Sequence, residues 1–178
     1  MRVYLRAFEL DDYKLINKWR KDNEITKFLG GNKYFISSER DRKWIEEKIF
    51  DNKTSNYLAI CLKDSEEMIG YLSIINIDWR NRNAEWGGII IGNKEHQRKG
   101  YSKEAAYLML DFIFNELGMN RFYGYWLESN KASIQMGLKL GFKQEGILRE
   151  CIYKNGKYNN LLLLSILKKE FEKFECVL

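Results

Sequence analysis

The stretch EWGGIIIGNKEHQRKGYSKEAAYLMLDFI, residues 85–113, decides the fold. It begins as an apolar strand, passes through a turn that contains Gly100, and continues as an amphipathic helix predicted over 101–117. This order favours an anion site, because the first amides of a helix lack intrahelical partners and the helix dipole is positive at that end. The turn 97–102 is therefore predicted to bind phosphate, with Arg98 and Lys99 adding charge. Taken alone, these residues also suit an ordinary exposed turn.

Two consecutive glycines, Gly87 and Gly88, interrupt the strand that precedes this turn. Glycine weakens a strand interior and is typical of a bulge or of a close approach by another backbone. A bulge beside the phosphate-binding turn would expose amides and carbonyls of the strand along the same cleft. The pattern predicts a cleft for a ligand with a diphosphate at one end and an amide-rich arm at the other.

On both sides of this stretch, the sequence predicts further strands and helices. Strands are predicted at 2–8, 55–63, 67–77, 83–92 and 121–129, and an Asn155–Gly156 turn joins two more. Helices are predicted after Asp11 and Ser38, as their N-caps, and at 101–117 and 130–142. The element order is β-α-α-β-β-β-α-β-α-β-β, a mixed α/β fold. No repeat or linker divides it, so one domain is predicted over 1–178.

Composition narrows the class of protein. The net charge of +5 comes from Lys, Arg, Asp and Glu interspersed along the chain, which argues against a nucleic-acid-binding surface. No apolar run approaches the length of a membrane helix, and the first residues lack a signal-peptide pattern. The three cysteines have no metal-ligand spacing. We expect a cytoplasmic protein without a metal, membrane or nucleic-acid partner.

Two segments resemble the GNAT superfamily of acyl-CoA-dependent N-acyltransferases. Gln97 and Gly100 match the superfamily pattern [Q/R]-x-x-G-x-[G/A], and Ser102 replaces its last small residue. The segment NKASIQMGLKLGFKQEG, residues 130–146, is similar to a second family segment. The order of elements agrees over the chain. The subgroup it resembles acetylates ribosomal-protein N-termini, polyamines such as spermidine, and amino sugars.

This resemblance implies a fold and a cofactor. The fold would be a twisted, mostly antiparallel sheet of about seven strands, splayed between strands 4 and 5 and flanked by about four helices. Acetyl-CoA would be the co-substrate, with its diphosphate on the turn and its pantetheine arm along strand 4. The implied cofactor-binding residues are Ile89, Ile90, Ile91, Gln97, Arg98, Lys99, Gly100, Tyr101, Ser102 and Asn130.

The resemblance also implies direct attack of an amine on the thioester, without a covalent enzyme intermediate. The predicted base is Glu85, with Glu128 as the alternative, and the predicted acid is Ser133. Many relatives place a tyrosine where this chain has Gly137, so that role does not carry over. The tryptophans are predicted to be core residues or to line an acceptor pocket.

The acceptor would be a primary amine of a small metabolite, a sugar or a peptide N-terminus. The segment 10–52 and the last hairpin are expected to select it. The oligomeric state is left open, with a homodimer as one alternative. A non-catalytic module that binds and senses acyl-CoA is the competing function, because the tyrosine is missing. A nucleic-acid-binding domain is a third and weaker interpretation.

Overall fold

The computed structural model of the protein describes residues 1–29, 35–51 and 53–175. These residues form seven strands and six α-helices, and the strands and four of the helices follow the predicted order, while α2 and α6 were not predicted. The strands are β1 (Val3–Ala7), β2 (Asn56–Leu62), β3 (Met68–Asp78), β4 (Asn83–Ile91), β5 (Arg121–Leu127), β6 (Lys143–Lys154) and β7 (Lys157–Leu167). The helices are α1 (Tyr13–Lys21), α2 (Asn23–Thr26), α3 (Ser38–Phe50), α4 (Tyr101–Asp111), α5 (Lys131–Lys139) and α6 (Lys168–Glu175).

All seven strands form one sheet in the order β1-β2-β3-β4-β5-β7-β6. Every neighbouring pair is antiparallel except β4 and β5, which are parallel. That parallel register runs from Asn83 opposite Arg121 to Trp86 opposite Gly124 and then stops. The remainder of β4 has no partner on β5, so the predicted mixed α/β fold and the splay between strands 4 and 5 are confirmed.

The predicted bulge lies where the two strands part. Ser73 of β3 pairs with Gly88 and the next residue, Ile74, pairs with Trp86, so Gly87 is the extra residue. A Cβ on Gly87 would lie 2.4 Å from Ser73 Oγ, and Gly88 has a φ of 127°. A residue with a side chain would clash at position 87 and would have a strained backbone at position 88.

Two apolar clusters pack the helices against the sheet. One includes Met109 of α4, Ile134 of α5 and Phe171 of α6, and the other includes residues of α1 and α3. Ile90 and Ile91 belong to different clusters, as expected for successive side chains of one strand. β4 therefore contacts both helical layers just before the 97–102 turn.

The predicted cap of α1 is wrong. Asp11 pairs with Lys14 at 3.0 Å instead. A short 3₁₀ turn, Leu10–Asp12, precedes the helix, and Asp12 accepts a hydrogen bond of 2.8 Å from the amide of Glu9. Asp12 is the N-cap residue of α1, but its carboxylate makes no cap hydrogen bond to that helix and instead binds the Glu9 amide and the Arg6 guanidinium.

The predicted cap of α3 is wrong by one residue. Ser37 is the N-cap, and its hydroxyl accepts from the amide of Arg40 at 3.2 Å. Asp41, predicted in the capping box, is fully buried and accepts from Asn17 Nδ2 at 2.7 Å. It also pairs with Arg20 of α1, so its carboxylate joins the two helices rather than capping one.

Within the described ranges, no helix has the length and apolar character needed to cross a membrane. The same residues contain no group of His, Cys, Asp and Glu side chains arranged to hold a metal ion.

Candidate active site

A cleft of about 320 Å³ opens where β4 leaves β5. The free part of β4, the 97–102 turn and the start of α5 form its walls, and the segment 24–29 after α1 covers one side. The structure brings eight of the predicted site residues to this cleft: Ile89, Ile90, Ile91, Gln97, Arg98, Ser102, Asn130 and Ser133.

The other three residues of the turn shape it without lining the cleft. The carbonyl oxygen of Lys99 accepts a hydrogen bond from Arg2, and the Tyr101 ring packs edge-on against His96. Gly100 has a φ of 88°, in the left-handed region that favours glycine. Of the turn residues, Gln97, Arg98 and Ser102 are the ones that line the cleft.

The main chain of the turn is arranged as an anion site. Its hydrogen bonds are donated by Gln97 on one side of the turn, and by Lys103 and Glu104 on the other. Within the parts of the chain that the structure describes, the amides of residues 98–102 donate no turn or cap hydrogen bond. Unpaired amides at the start of an eleven-residue helix, beside the side chain of Arg98, suit a phosphate.

Gln97 holds the turn to the strand. Its side-chain Nε2 donates to the carbonyl oxygen of Ile91 at 2.9 Å. The side chain of Gln97 therefore ties the end of β4 to the turn.

A second, narrower cavity of about 100 Å³ continues the cleft into the gap between the strands. Gly87 and Gly88 lie on its β4 side, and Tyr125 and Trp126 lie on its β5 side. Asn130 and Ser133 line both cavities, so they stand where the two meet.

Ser133 is oriented by two hydrogen bonds. Asn130 caps α5 by accepting from the amide of Ser133 at 3.3 Å. The indole Nε1 of Trp126 donates to Ser133 Oγ at 3.0 Å. Because an indole N–H can only donate, the serine oxygen is the acceptor and its own hydrogen is available to another group. Ser133 thus presents a hydroxyl donor at the junction of the cavities.

Gly137 faces the core and not the cleft. A Cβ there would lie 3.7 Å from both Leu164 and Trp126. Trp126 in turn packs edge-on against Trp86. A tyrosine at 137 would therefore meet packed side chains. The tryptophans were predicted to be core residues or to line an acceptor pocket, and Trp86 and Trp126 line the narrow cavity. The hydrogen bond from Trp126 to Ser133 was not predicted, because no local pattern connects a strand tryptophan to a serine on the following helix.

The structure places Glu85 beside the gap but outside the lining of both cavities. Asn76 Nδ2 donates to its carboxylate at 2.8 Å. Glu85 is paired with Tyr123 across the parallel strands. The pKa of the Tyr123 phenol is raised, mainly by burial and next by the negative charge of Glu85.

The alternative base, Glu128, faces a separate groove that it shares with Glu150 and Tyr158. Asn160 Nδ2 donates to its carboxylate at 2.9 Å. Its neighbour Leu127 lines the narrow cavity, but Glu128 does not. Neither Glu85 nor Glu128 lines either cavity.

Lys154 connects the segment 24–29 to the last hairpin. Its ammonium donates to the carbonyl oxygens of Thr26 and Leu29, at 3.2 and 2.5 Å. Burial lowers the pKa of Lys154. Phe28 and Leu29 line both cavities, so this contact fixes the wall that separates them from solvent.

Comparisons with known proteins agree with this geometry. The family described as acetyltransferase (GNAT) domain matches residues 2–143. The N-acetyltransferase p20 of Bacillus licheniformis is 29% identical over 96% of this chain and 95% of its own length. Spermidine N(1)-acetyltransferase of Vibrio cholerae is 26% identical over 96% of this chain and 95% of its own. The crystal structure of the Vibrio cholerae spermidine N-acetyltransferase with CoA and spermine matches with a TM-score of 0.88 and 25% identity, over 96% of this chain and 98% of that one.

Proposed function

The chain belongs to the GNAT acetyltransferase family and uses acetyl-CoA, and we propose that it acetylates a primary amine by direct attack within the cleft. One domain spanning 1–178 would carry the whole reaction. The observation that supports this best is the unpaired edge of β4, which runs from the gap beside Ser133 to the unpaired amides of the turn.

The cofactor would lie along that edge. The diphosphate would accept hydrogen bonds from the amides of 98–102 and face the guanidinium of Arg98. The pantetheine arm would pair with Ile89, Ile90 and Ile91 as an added strand, which satisfies main-chain groups that β5 leaves open. The thioester would then lie in the gap, beside Gly87, Gly88 and Ser133.

Acetyl transfer needs proton movements at both ends of the reaction. An alkyl ammonium with a reference pKa of about 10.4 is almost fully protonated at neutral pH, so a base must remove a proton. Glu85 would accept that proton through a water molecule in the gap. A main-chain amide near Ile90 would stabilise the oxyanion. As the C–N bond forms and the C–S bond breaks, the hydroxyl of Ser133 would donate its proton to the departing thiolate and regain one from the attacking nitrogen, so CoA leaves as the thiol.

Two observations bear on which class of amine is the acceptor: the name of a relative and the charge of the side chains that line the cleft. The name of the Vibrio cholerae relative makes a polyamine the first acceptor to test, ahead of amino sugars and peptide N-termini. Glu24 lines the cleft but pairs with Lys27 at 2.7 Å, so it is partly neutralised. The wall formed by 24–29 is expected to set acceptor size.

A free-thiol assay tests the function directly. We expect the protein to release CoA from acetyl-CoA only in the presence of an amine, across a panel of polyamines, amino sugars and peptides. Mass spectrometry should find the acetyl group on a nitrogen of the acceptor. Binding of CoA without turnover for any amine would favour the non-catalytic sensing module instead.

Replacing Ser133 with alanine should lower kcat by about 10²-fold, because the departing thiolate loses its donor. KM for acetyl-CoA should change little. Trp126→Phe, which keeps an aromatic ring but removes the N–H, should give a smaller fall in kcat. Steady-state kinetics measure both.

Ser129→Ala is the matched control for Ser133, since Ser129 is exposed and lines the separate groove. It should keep wild-type turnover. A Ser133→Ala enzyme with unchanged kcat would remove Ser133 from the acid role.

A further inference from the structure

Arg2 lies outside the cleft and contacts the 97–102 turn on the side away from the cleft. Its Nη2 donates to the carbonyl oxygen of Lys99 at 2.8 Å. Its Nε and its main-chain amide donate to the carboxylate of Glu104, at 2.7 and 2.6 Å. Its guanidinium carbon lies 4.4 Å from the centre of the Tyr101 ring. One side chain at the start of the sheet thus joins both sides of Gly100.

The turn needs such support because its backbone is unfavourable. Arg98 has a φ of 60° and Gly100 a φ of 88°. A non-glycine residue in the left-handed region is uncommon and persists where its surroundings hold it. A Cβ at Gly100 would also lie 3.3 Å from Arg2 Nη2, so the guanidinium is packed against this glycine.

The bond to Lys99 has a direct consequence for the next amide. The Lys99 carbonyl and the Gly100 N–H belong to one planar trans peptide unit and point in opposite directions. Because the carbonyl points to Arg2, the Gly100 N–H points away from it. No turn or cap hydrogen bond among the described residues uses that N–H.

We propose that Arg2 is a positioning residue for the diphosphate of acetyl-CoA. It holds the Lys99 peptide in the orientation that aims the Gly100 N–H at the ligand, and it anchors the first turn of α4 through Glu104. This role rests on the proposed placement of the cofactor. Arg2 itself does not line the cleft.

The test compares acetyl-CoA with S-acetylpantetheine, which carries the thioester but lacks the diphosphate. We expect Arg2→Gln to bind acetyl-CoA about tenfold more weakly, since a charge-assisted hydrogen bond is lost. Its affinity for S-acetylpantetheine and its kcat at saturating acetyl-CoA should match wild type. Arg2→Lys should stay weaker than wild type, because one ammonium cannot replace the planar fork. Calorimetry and steady-state kinetics give the two readouts.

Arg42→Gln is the charge-matched control, since Arg42 is exposed on α3. A tenfold loss in that variant, or equal losses for both ligands in Arg2→Gln, would overturn the proposal. So would wild-type affinity for acetyl-CoA in Arg2→Lys, because charge alone would then suffice. If Arg2→Gln does not fold, Arg2→Lys decides the question.

The same measurements separate this inference from the proposed function. A wild-type protein that binds acetyl-CoA but acetylates no amine would refute the catalytic proposal, while the binding comparison would still decide the role of Arg2. A wild-type protein that binds acetyl-CoA no better than S-acetylpantetheine would refute the phosphate site, and the role of Arg2 with it.

Discussion

Glu85→Gln is expected to lower kcat/KM for the amine by about 10²- to 10⁴-fold at neutral pH, the range for loss of a general base. Glutamine keeps the size of the side chain, and its amide oxygen can still accept the bond from Asn76. The variant therefore removes proton acceptance with little change in packing. Acetyl-CoA affinity should stay at the wild-type value.

The pH profile distinguishes a lost base from a disturbed site. As pH approaches the amine pKa of about 10.4, the acceptor deprotonates without help, so the deficit of Glu85→Gln should shrink. Glu116→Gln, at an exposed position beyond α4, should follow the wild-type profile. Unchanged turnover in Glu85→Gln at neutral pH would reject Glu85 as the base, and Glu128→Gln would then be the next variant.

Gly70→Ala is expected to destabilise the protein by about 3 kcal/mol, at the upper end of the range for overpacking. A Cβ on Gly70 would lie 2.1 Å from the carbonyl oxygen of Ile90 and 3.1 Å from the Cα of Ile91. Both atoms are main chain, so no rotation of a side chain relieves the clash. β4 would have to move at the residues that line the cofactor cleft.

Gly146→Ala is the matched control for Gly70, because Gly146 also lies in a strand and a Cβ there meets no atom within 4 Å. Its effect should stay within about 0.5 kcal/mol. Urea unfolding followed by circular dichroism measures both variants. Equal midpoints for Gly70→Ala and wild type would show that β3 and β4 pack less closely than the structure indicates.

The ends of helices were predicted less well than their existence. Ser37 and not Ser38 caps α3, and Asp41 is drawn into the interior by Arg20 and Asn17. Two serines, Ser37 and Ser38, are adjacent in the sequence, and either could cap α3. Which of them is the cap depends on how α3 packs against another helix. α6 was missed because it directly follows β7 with no turn residue between them, and only the packing of Phe171 against the core shows that a helix is present.

The sequence by itself determined the order of the seven strands and of four helices, a bulge at the Gly87–Gly88 pair and the turn before α4, because each depends on local periodicity or on glycine at a particular position. The open edge of β4 was implied by the family resemblance. Only the tertiary structure decided which side chains contact these elements. Trp126 reaches Ser133 from a strand, Arg2 reaches Lys99 from the residue before the first strand, and Glu85 lies outside the cavities. These relations join residues distant in the chain or set the direction of a side chain, and neither is encoded in a local pattern.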